Sequence, residues 1–417
     1  MLRILHIFAI TIIVFFYSAS AINEANLYQE QNMKSGAFYT DNYENLFVSL
    51  LGLNPKAVNE KINDAFNQLY YGDDKTQRLY FPVGADMAYF KDVYNNDVRS
   101  EGMSFAMMIA LQLNRQKEFN RLWKWTKTYM HHKKGPRKDY FAWQCRTDGG
   151  IIDSSSASDG EEWFATCLFM ASNRWGDDDG IYNYRVEAQK ILDAMLSKIT
   201  KSDNENEITN MFNMKEKMVV FVPNGLADNF TDPYYHFPHY YELWARWADK
   251  NNDFWAACAE KSREFWKLNI HPKTGLSSNY AKFDGTPYDA PWGGNHNDFR
   301  HDAWRVAMNI ALDHVWFNKD PWQVEQSNRL LNFFYAQGID TYGSLYTVDG
   351  KVLSKEHSTG LVAMNAVAAM AADIQQRKEF VKALWNAQVP DGEGRYFDGT
   401  LYMLAMLQVS GNFKIYK

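Results

Sequence analysis

The sequence predicts an all-α fold in which helical hairpins close into one domain. Twelve segments carry apolar residues at spacings of three and four, which is the period of an amphipathic helix. The segments fall into six consecutive pairs, with a short turn inside each pair and a longer stretch rich in Gly, Pro, Asn and Asp between pairs. Runs of strict alternation are few, so strands should be minor and confined to the connections.

The predicted elements alternate along the chain without interruption. Helices are expected at 41–52, 55–70, 99–114, 116–131, 160–174, 181–199, 234–249, 251–268, 302–317, 322–337, 359–373 and 376–387. The long connections include 133–158, 200–233, 271–300 and 338–357. Because long loops in compact domains usually carry function, we expect these connections on one face, where the site is built. No linker of Pro, Ser and Gly composition divides the pairs, so a single domain is expected over residues 22–417.

The first residues, 1–21, have the composition of a secretory signal. A short start containing Arg3 precedes a nearly continuous apolar run from Ile4 to Tyr17, and the small residues Ala19 and Ala21 form a cleavage pattern. The apolar run is short for a membrane helix, and no later stretch approaches the required length of about 20 residues. We therefore expect an exported protein, periplasmic or extracellular, with no membrane contact after cleavage. An uncleaved anchor is the alternative.

Charge and cysteine content exclude several other classes of protein. The chain has a formal charge of -6 and no block of Lys and Arg, so it has no electrostatic footprint for nucleic acid. Its three cysteines, Cys145, Cys167 and Cys258, show no CxxC spacing, which argues against a disulfide framework or a zinc site. We expect no metal, no cofactor and a monomeric protein.

Aromatic residues are unusually abundant. The chain has 14 Trp, 25 Tyr and 27 Phe, more than a core of ordinary density requires. Some of these rings should therefore line a groove, and sugars suit such grooves because their C–H faces stack on rings.

Acidic residues stand at the starts of three predicted helices. Ser100 can cap a helix that has Glu101 in its first turn, Asp159 is a natural N-cap, and Asp302 opens a helix with Arg305 three residues later. Each alone could be capping. Each opens the first helix of a pair, however, so the three starts should gather at one end of a closed ring. Two such carboxyls could hydrolyse a glycosidic bond, one protonated to donate to the leaving oxygen and one ionised to assist the attack.

Several strings together resemble glycoside hydrolase family 8. They follow the family's order, cover nearly the whole mature chain, and are RSEGMS at 99–104, YFAWQ at 140–144, ASDGEEWFA at 157–165, TDPYYH at 231–236, DAWR at 302–305, GTLYMLAML at 399–407 and SGNF at 410–413. The resemblance implies an (α/α)6 barrel of six inner and six outer helices. It also implies inverting hydrolysis of β-1,4-linked polysaccharides or oligosaccharides without a metal.

The resemblance also implies a role for each residue that matches a family motif. Glu101 matches the general acid, and Asp302 matches the base that activates water. Inversion requires these two carboxyls to lie about 6.5–9.5 Å apart. The remaining matches are Asp159, which binds and distorts the sugar at the cleavage point, Arg305 and Tyr235, which position the base and the water, and Trp143, which stacks on a sugar.

The strings 140–145, 232–244 and 284–287 look most similar to the xylan-active members. They are closer to the branch that releases xylose from the reducing end of xylo-oligosaccharides than to the endo-β-1,4-xylanases, which remain the alternative. In that branch a Leu-His-Pro loop blocks the cleft, and its histidine meets the terminal anomeric hydroxyl. Here 356–358 reads Glu-His-Ser, so His357 either keeps that role or is an ordinary helix-cap or surface residue.

Two other functional classes fit parts of the pattern. A non-catalytic exported glycan-binding protein would also be helical and aromatic, but it would not need an acid, a base and an orienting arginine at three helix starts. A polysaccharide lyase would favour a cleft rich in Tyr, His, Lys or Arg to neutralise uronic acids. The acidic helix starts favour a hydrolase over both.

Overall fold

The computed structural model describes residues 35–198 and 207–417, so the predicted signal at 1–21 lies outside the described residues. The α-helices are α1 Ala37–Thr40, α2 Leu46–Ser49, α3 Pro55–Tyr71, α4 Ser100–Gln112, α5 Gln116–Trp125, α6 Ser158–Trp175, α7 Tyr184–Leu196, α8 Pro238–Trp247, α9 Asn252–Asn269, α10 His301–Trp304, α11 Val306–Phe317, α12 Trp322–Gln337, α13 Thr359–Ala368, α14 Arg377–Asn386 and α15 Thr400–Val409. A π-helical turn, Thr126–Met130, extends α5. A second, Arg395–Gly399, leads into α15.

Six helices buried over most of their length form a central ring. In ring order they are α4, α6, α8, α11, α13 and α15, and α15 packs against α4 to close the circle. A helix that is apolar on nearly every side belongs inside a protein, and α4, α11, α13 and α15 have that composition. The order places α4 and α11 on opposite sides of the ring.

Six outer helices cover the ring. The contacts pair α5 with α4, α7 with α6, α9 with α8, α12 with α11, α14 with α13, and α3 with α15. The outer helices bury one face each, as in α5, where Phe119, Leu122 and Trp123 face inward and the charged residues face out. The architecture is the expected (α/α)6 barrel.

The sixth helix pair is not the one that the sequence pattern predicted. Residues 41–52 were expected as a full helix paired with 55–70, but only α2 is helical there, because Asp41 and Gly52 adopt left-handed backbone conformations and Asn45 caps the short α2. The true partner of α3 is α15, near the end of the chain. Helix α15 is apolar on every side and so lacks the amphipathic period on which the prediction relied.

Strands are confined to the connections, as predicted. An antiparallel sheet joins, in order, β1 Tyr80–Val83, β2 Met87–Asp92, β3 Asp97–Arg99, β4 Gln144–Cys145 and β5 Ile151–Asp153. Two small hairpins are formed by β6 Phe212–Asn213 with β7 Met218–Val219, and by β8 Leu345–Tyr346 with β9 Val352–Ser354. Strand β3 runs directly into α4, and the Ser100 amide donates to the Trp143 carbonyl at 2.9 Å. The sheet thereby fixes Trp143 beside the start of α4.

One apolar core holds the two helical layers together. It extends from Leu46 to Ile415 and includes the three cysteines, which are buried and unbridged. Within residues 35–198 and 207–417, none of the helices combines the length and apolar composition needed to cross a bilayer.

Candidate active site

The starts of the inner helices gather at one end of the barrel. Outer and inner helices alternate along the chain, and each outer helix returns the chain, so every inner helix begins on the same side. Glu101 lies in the first turn of α4, Asp159 in the first turn of α6, and Asp302 in α10, just before α11. Tyr235 lies in a helical turn, Pro233–Tyr235, that leads into α8.

The capping roles considered for these helix starts are wrong. Ser100 is the first residue of α4 rather than its cap, and its hydroxyl has no hydrogen-bond partner within the described part of the chain. Asp159 lies inside α6, whose N-cap position is Ala157. Neither Ser100 nor Asp159 is therefore the N-cap of its helix.

Arg305 joins the two carboxyls that were expected to act as acid and base. Its Nη1 is ion-paired with Oε1 of Glu101, and its Nη2 with Oδ1 of Asp302. The arginine is 2% exposed, whereas the side chains of Glu101 and Asp302 are 21% and 31% exposed. Because α4 and α11 are opposite members of the ring, the two carboxyls face each other across its mouth.

The Arg305 side chain is held in place by rings. Its guanidinium carbon lies 3.7 Å from the centre of the Tyr234 ring and 5.6 Å from that of Phe397. A planar guanidinium over an aromatic face is attracted by the ring's negative face. Burial lowers the pKa of Arg305 to about 9, which still leaves the side chain charged at neutral pH.

Asn279 holds Asp302 from the other side. Its Nδ2 donates to Oδ2 of Asp302 at 3.0 Å, and its Oδ1 accepts from the backbone amides of Asp302 and Ala303 at 3.0 and 3.2 Å. The sequence pattern gave no sign of this residue, because Asn279 lies in the long connection 271–300, far from Asp302 along the chain. Only the folded loop brings the two together.

The pKa values of Asp302 and Asp159 are both raised. Burial raises the pKa of Asp302, and the hydrogen bond from Asn279 opposes that shift. The pKa of Asp159 is raised to about 7, first by burial and then by the negative charge of Asp302, while hydrogen bonds from the Gly160 amide and from Tyr235 act in the opposite direction. Asp159, Tyr235 and Asp302 thus form one electrostatic group.

Asp232 is a further buried acid that sequence analysis did not single out. It is fully buried, its Oδ1 accepts from the Tyr234 amide at 2.7 Å, and its Oδ2 has no partner among the described residues. Burial raises its pKa, and the charges of Asp302 and Asp159 add to the shift. The string at 231–236 contained this signal, but an acid before proline also caps a turn, which it does here.

Aromatic rings line the cleft on both sides of the acids. Phe221 stacks on Tyr235 with ring centres 5.7 Å apart and contacts Trp292, which is 49% exposed. On the other side, the half-buried Trp143 packs against the guanidinium of Arg99 at 5.5 Å. These rings are the candidates for the aromatic groove that the composition predicts.

His357 lies in the exposed loop between β9 and α13. The helix cap is its neighbour Ser358, whose hydroxyl accepts from the Gly360 amide and donates to Asp398 at 2.9 Å, so His357 is not a cap. The His357 ring bonds to the Tyr342 carbonyl through Nδ1 at 2.9 Å. A carbonyl only accepts, so Nδ1 carries a hydrogen, and in the neutral ring this leaves Nε2 to accept from a ligand.

The position of His357 in the ring is informative. His357 precedes α13. Asp159 lies in the first turn of α6 and Tyr235 precedes α8, and both of these helices are on the other side of the line joining Glu101 to Asp302. Asp159 and His357 therefore lie on opposite sides of the line that joins the two carboxyls.

Acid–base chemistry is what this arrangement can perform. Two solvent-accessible carboxyls share one buried cation, and a third acid with a raised pKa lies beside them. No cluster of three or more His, Cys, Asp or Glu side chains suited to a metal occurs among residues 35–198 and 207–417.

Comparison with protein families gives one match over most of the chain. The family model described as "Glycosyl hydrolases family 8" matches residues 91–411. Among curated proteins, the reducing-end xylose-releasing exo-oligoxylanase Rex8A of Paenibacillus barcinonensis is 44% identical over 387 residues, covering 91% of this chain and 98% of its own.

Solved structures are similar over the same extent. The structure of Rex8A complexed with xylose has a TM-score of 0.86 at 43% identity and covers 92% of this chain and 100% of its own. A catalytic mutant of a xylanase from Teredinibacter turnerae, in complex with xylohexaose, has a TM-score of 0.88 at 41% identity and covers 91% and 100%.

Proposed function

The chain belongs to glycosyl hydrolase family 8 and is therefore a glycoside hydrolase, and we propose that it releases xylose from the reducing end of xylo-oligosaccharides. The curated relative at 44% identity has that activity by its name, and the similarity covers 91% of this chain and 98% of the relative.

The observation that carries the mechanism is the shared contact of Arg305 with Glu101 and Asp302. With all three groups ionised, the set has one excess negative charge, and two close carboxyls disfavour each other's ionisation. A general acid and a general base require one proton on this set, held by Glu101.

In the proposed reaction, a xylosyl unit lies between the two carboxyls. Glu101 donates its proton to the leaving oxygen while Asp302 accepts a proton from the water that attacks the anomeric carbon from the opposite face, which inverts the configuration. Arg305 and Tyr235 position the base and the water, and Asp159 binds the sugar at the cleavage point. Trp143 supplies a stacking face.

The loop before α13 supports exo action. A histidine with a free Nε2 can accept a hydrogen bond from the anomeric hydroxyl at the end of a chain, and the Tyr342 carbonyl holds the ring in the required tautomer. Glu356 and Ser358 replace the flanking residues of the related exo enzymes. Ser358 has a structural role of its own here, because it caps α13 and donates a hydrogen bond to Asp398.

An endo-β-1,4-xylanase is the second candidate. The xylanase from Teredinibacter turnerae, crystallised with xylohexaose, is almost as similar in sequence as Rex8A and has a slightly higher TM-score. An open cleft beyond His357 would give this activity from the same acid and base.

The products formed from labelled substrates distinguish the two candidates. Xylotriose through xylohexaose, labelled at one end, would be incubated with the enzyme beside polymeric xylan. Xylose released only from the reducing end is expected, whereas mid-chain fragments from xylan would establish the endo enzyme. Absence of hydrolysis on all of these substrates would contradict both candidates.

We further propose that residues 22–417 form a single catalytic domain, and that 1–21 direct export to the periplasm or the cell exterior. A monomer is proposed as the active form. N-terminal sequencing of the secreted protein and its mass in solution would test these points.

A further inference from the structure

Every hydrogen-bonding atom of the Asn279 amide is in use. The residue is 3% exposed, and its Oδ1 accepts from two backbone amides, those of Asp302 and Ala303. Its Nδ2 faces both Oδ2 of Asp302 at 3.0 Å and Nδ1 of His296 at 3.1 Å. An amide nitrogen has two hydrogens, so both of these contacts can be made at once.

Hydrogen-bond donors and acceptors around the Asn279 amide fix which of its two end atoms is the oxygen. Backbone N–H groups only donate, so the atom that faces the Asp302 and Ala303 amides must be the Asn279 oxygen. The nitrogen is thereby forced toward the Asp302 carboxyl, where it donates. For the same reason Nδ1 of His296 must accept, which requires a neutral His296 with its hydrogen on Nε2.

Arg305 cannot decide which carboxyl holds the proton, because it contacts both Glu101 and Asp302. Asn279 contacts only Asp302 of the pair. A donor aimed at one carboxyl stabilises the ionised form of that carboxyl and thereby leaves the proton for the other.

We propose that Asn279 is the positioning residue that keeps Asp302 oriented and ionised, and so assigns the proton of the acid–base pair to Glu101. The inference rests on the proposed function, since it takes Glu101 as the acid and Asp302 as the base. His296 accepts a hydrogen bond from the Asn279 amide and is itself stacked on Tyr280, with ring centres 4.0 Å apart.

Other groups around Asp302 also act on its charge. His301, Arg99 and Arg305 favour the ionised form, as His296 would if it were protonated, and the nearby acids Asp159 and Asp232 oppose it. The rings of Tyr235 and Tyr280 complete the surroundings. Burial raises the pKa of Asp302 and the Asn279 hydrogen bond is the first influence that lowers it, so loss of this donor should raise it further.

Two substitutions of Asn279 distinguish a role in placing the proton from a role in holding the loop. Asn279→Ser shortens the side chain and removes the amide nitrogen, so the donor to Asp302 is lost and the contact with the backbone amides at the start of α10 is weakened. Asn279→Asp keeps the same acceptor but replaces the donor with a second negative charge. We expect kcat on xylotriose to fall about tenfold in the first variant and about a hundredfold or more in the second, with little change in KM. In both, the acidic limb of the kcat/KM profile should move to higher pH.

Asn269→Asp is the matched control. Asn269 is also a buried asparagine that holds the 271–300 connection, but it contacts Ser278 and Gly285 rather than Asp302. This variant should lose stability and keep the wild-type pH profile. A purely structural Asn279 would behave in the same way, and an unchanged acidic limb in Asn279→Ser would overturn the proposal even if Asn279→Asp did not fold.

A titration that needs no substrate keeps this proposal distinct from the proposed function. Side-chain carboxyls labelled with ¹³C can be followed by NMR, with Asp302→Asn assigning the Asp302 signal. A higher Asp302 pKa in Asn279→Ser than in the wild type supports the inference, and equal values contradict it. Failure of xylotriose hydrolysis by the wild type would instead refute the substrate, and full activity of Asp302→Asn would refute the base.

Discussion

Arg305 is ion-paired with Glu101 across the mouth of the barrel, between helix starts on opposite sides of the inner ring. The contact forms only if all six inner helices are in place, because the ring sets the distance between its opposite members. The same arginine holds Asp302, so closure of the fold and assembly of the site are one event.

Glu101→Gln and Asp302→Asn should each abolish turnover while leaving oligosaccharide binding largely intact. Each replacement keeps the size of the side chain but removes the group that transfers the proton, and such groups typically contribute about 10²–10⁴-fold to the rate. Steady-state kcat and calorimetric binding of xylotriose measure the two effects. Substantial activity in either variant would reject the role of that residue.

Arg305→Lys should lower kcat by about a hundredfold. A lysine offers one compact charge and cannot present separate nitrogens to two carboxyls, so at least one carboxyl loses its position. Arg263→Lys is the control, because Arg263 bridges Asp313 and Glu242 in a similar way outside the cleft. That variant should lose thermal stability but keep its kcat, and equal kcat losses in both would show that Arg305 acts only through folding.

The general plan of the fold was predictable because most of the helices show their period in the sequence. The acids of the site were also predictable, since a helix start puts Glu101, Asp159 and Asp302 at defined positions and the alternation of helices puts the starts together. The ring closure by α15 was not predictable from periodicity, because a helix buried on all sides has no polar face to mark its period.

Asn279 and Asp232 illustrate a second limit. Both residues lie in long connections whose path depends on tertiary contacts. Each also has a common local role for its residue type, so its position in the sequence did not point to the site. An asparagine in a loop usually forms a turn, and an aspartate before proline usually caps one. Their nearness to Asp302 becomes visible only in the folded chain.

His357→Ala should shift the products from terminal xylose toward mid-chain fragments. The substitution removes the Nε2 acceptor at the end of the cleft and opens space beyond it, while Ser358 continues to cap α13. Chromatography of the products from labelled xylohexaose measures the change. His132→Ala, which removes a ring bonded to the Ser154 carbonyl, serves as the control and should leave the products unchanged. Identical products from His357→Ala and wild type would remove the barrier role from this histidine.

Glu161→Gln should alter the pH dependence of stability without touching the proposed acid and base. Glu161 is fully buried in the first turn of α6, its Oε1 accepts from the Phe141 amide at 2.9 Å, and burial raises its pKa from 4.5 to about 8. Between those two values the folded chain keeps the proton that the unfolded chain has lost. The free energy of unfolding contributed by this group is therefore fully present below pH 4.5 and declines as the pH rises toward 8.

A glutamine does not titrate, so the Glu161→Gln variant should gain stability relative to wild type as the pH rises over that interval. Urea unfolding at pH 5 and pH 8 measures the difference, and Glu264→Gln, at an exposed site, should show no such trend. A stability difference between Glu161→Gln and wild type that is the same at both pH values would mean that Glu161 is already ionised in the folded protein, with Phe141 and its other hydrogen-bond partners outweighing burial.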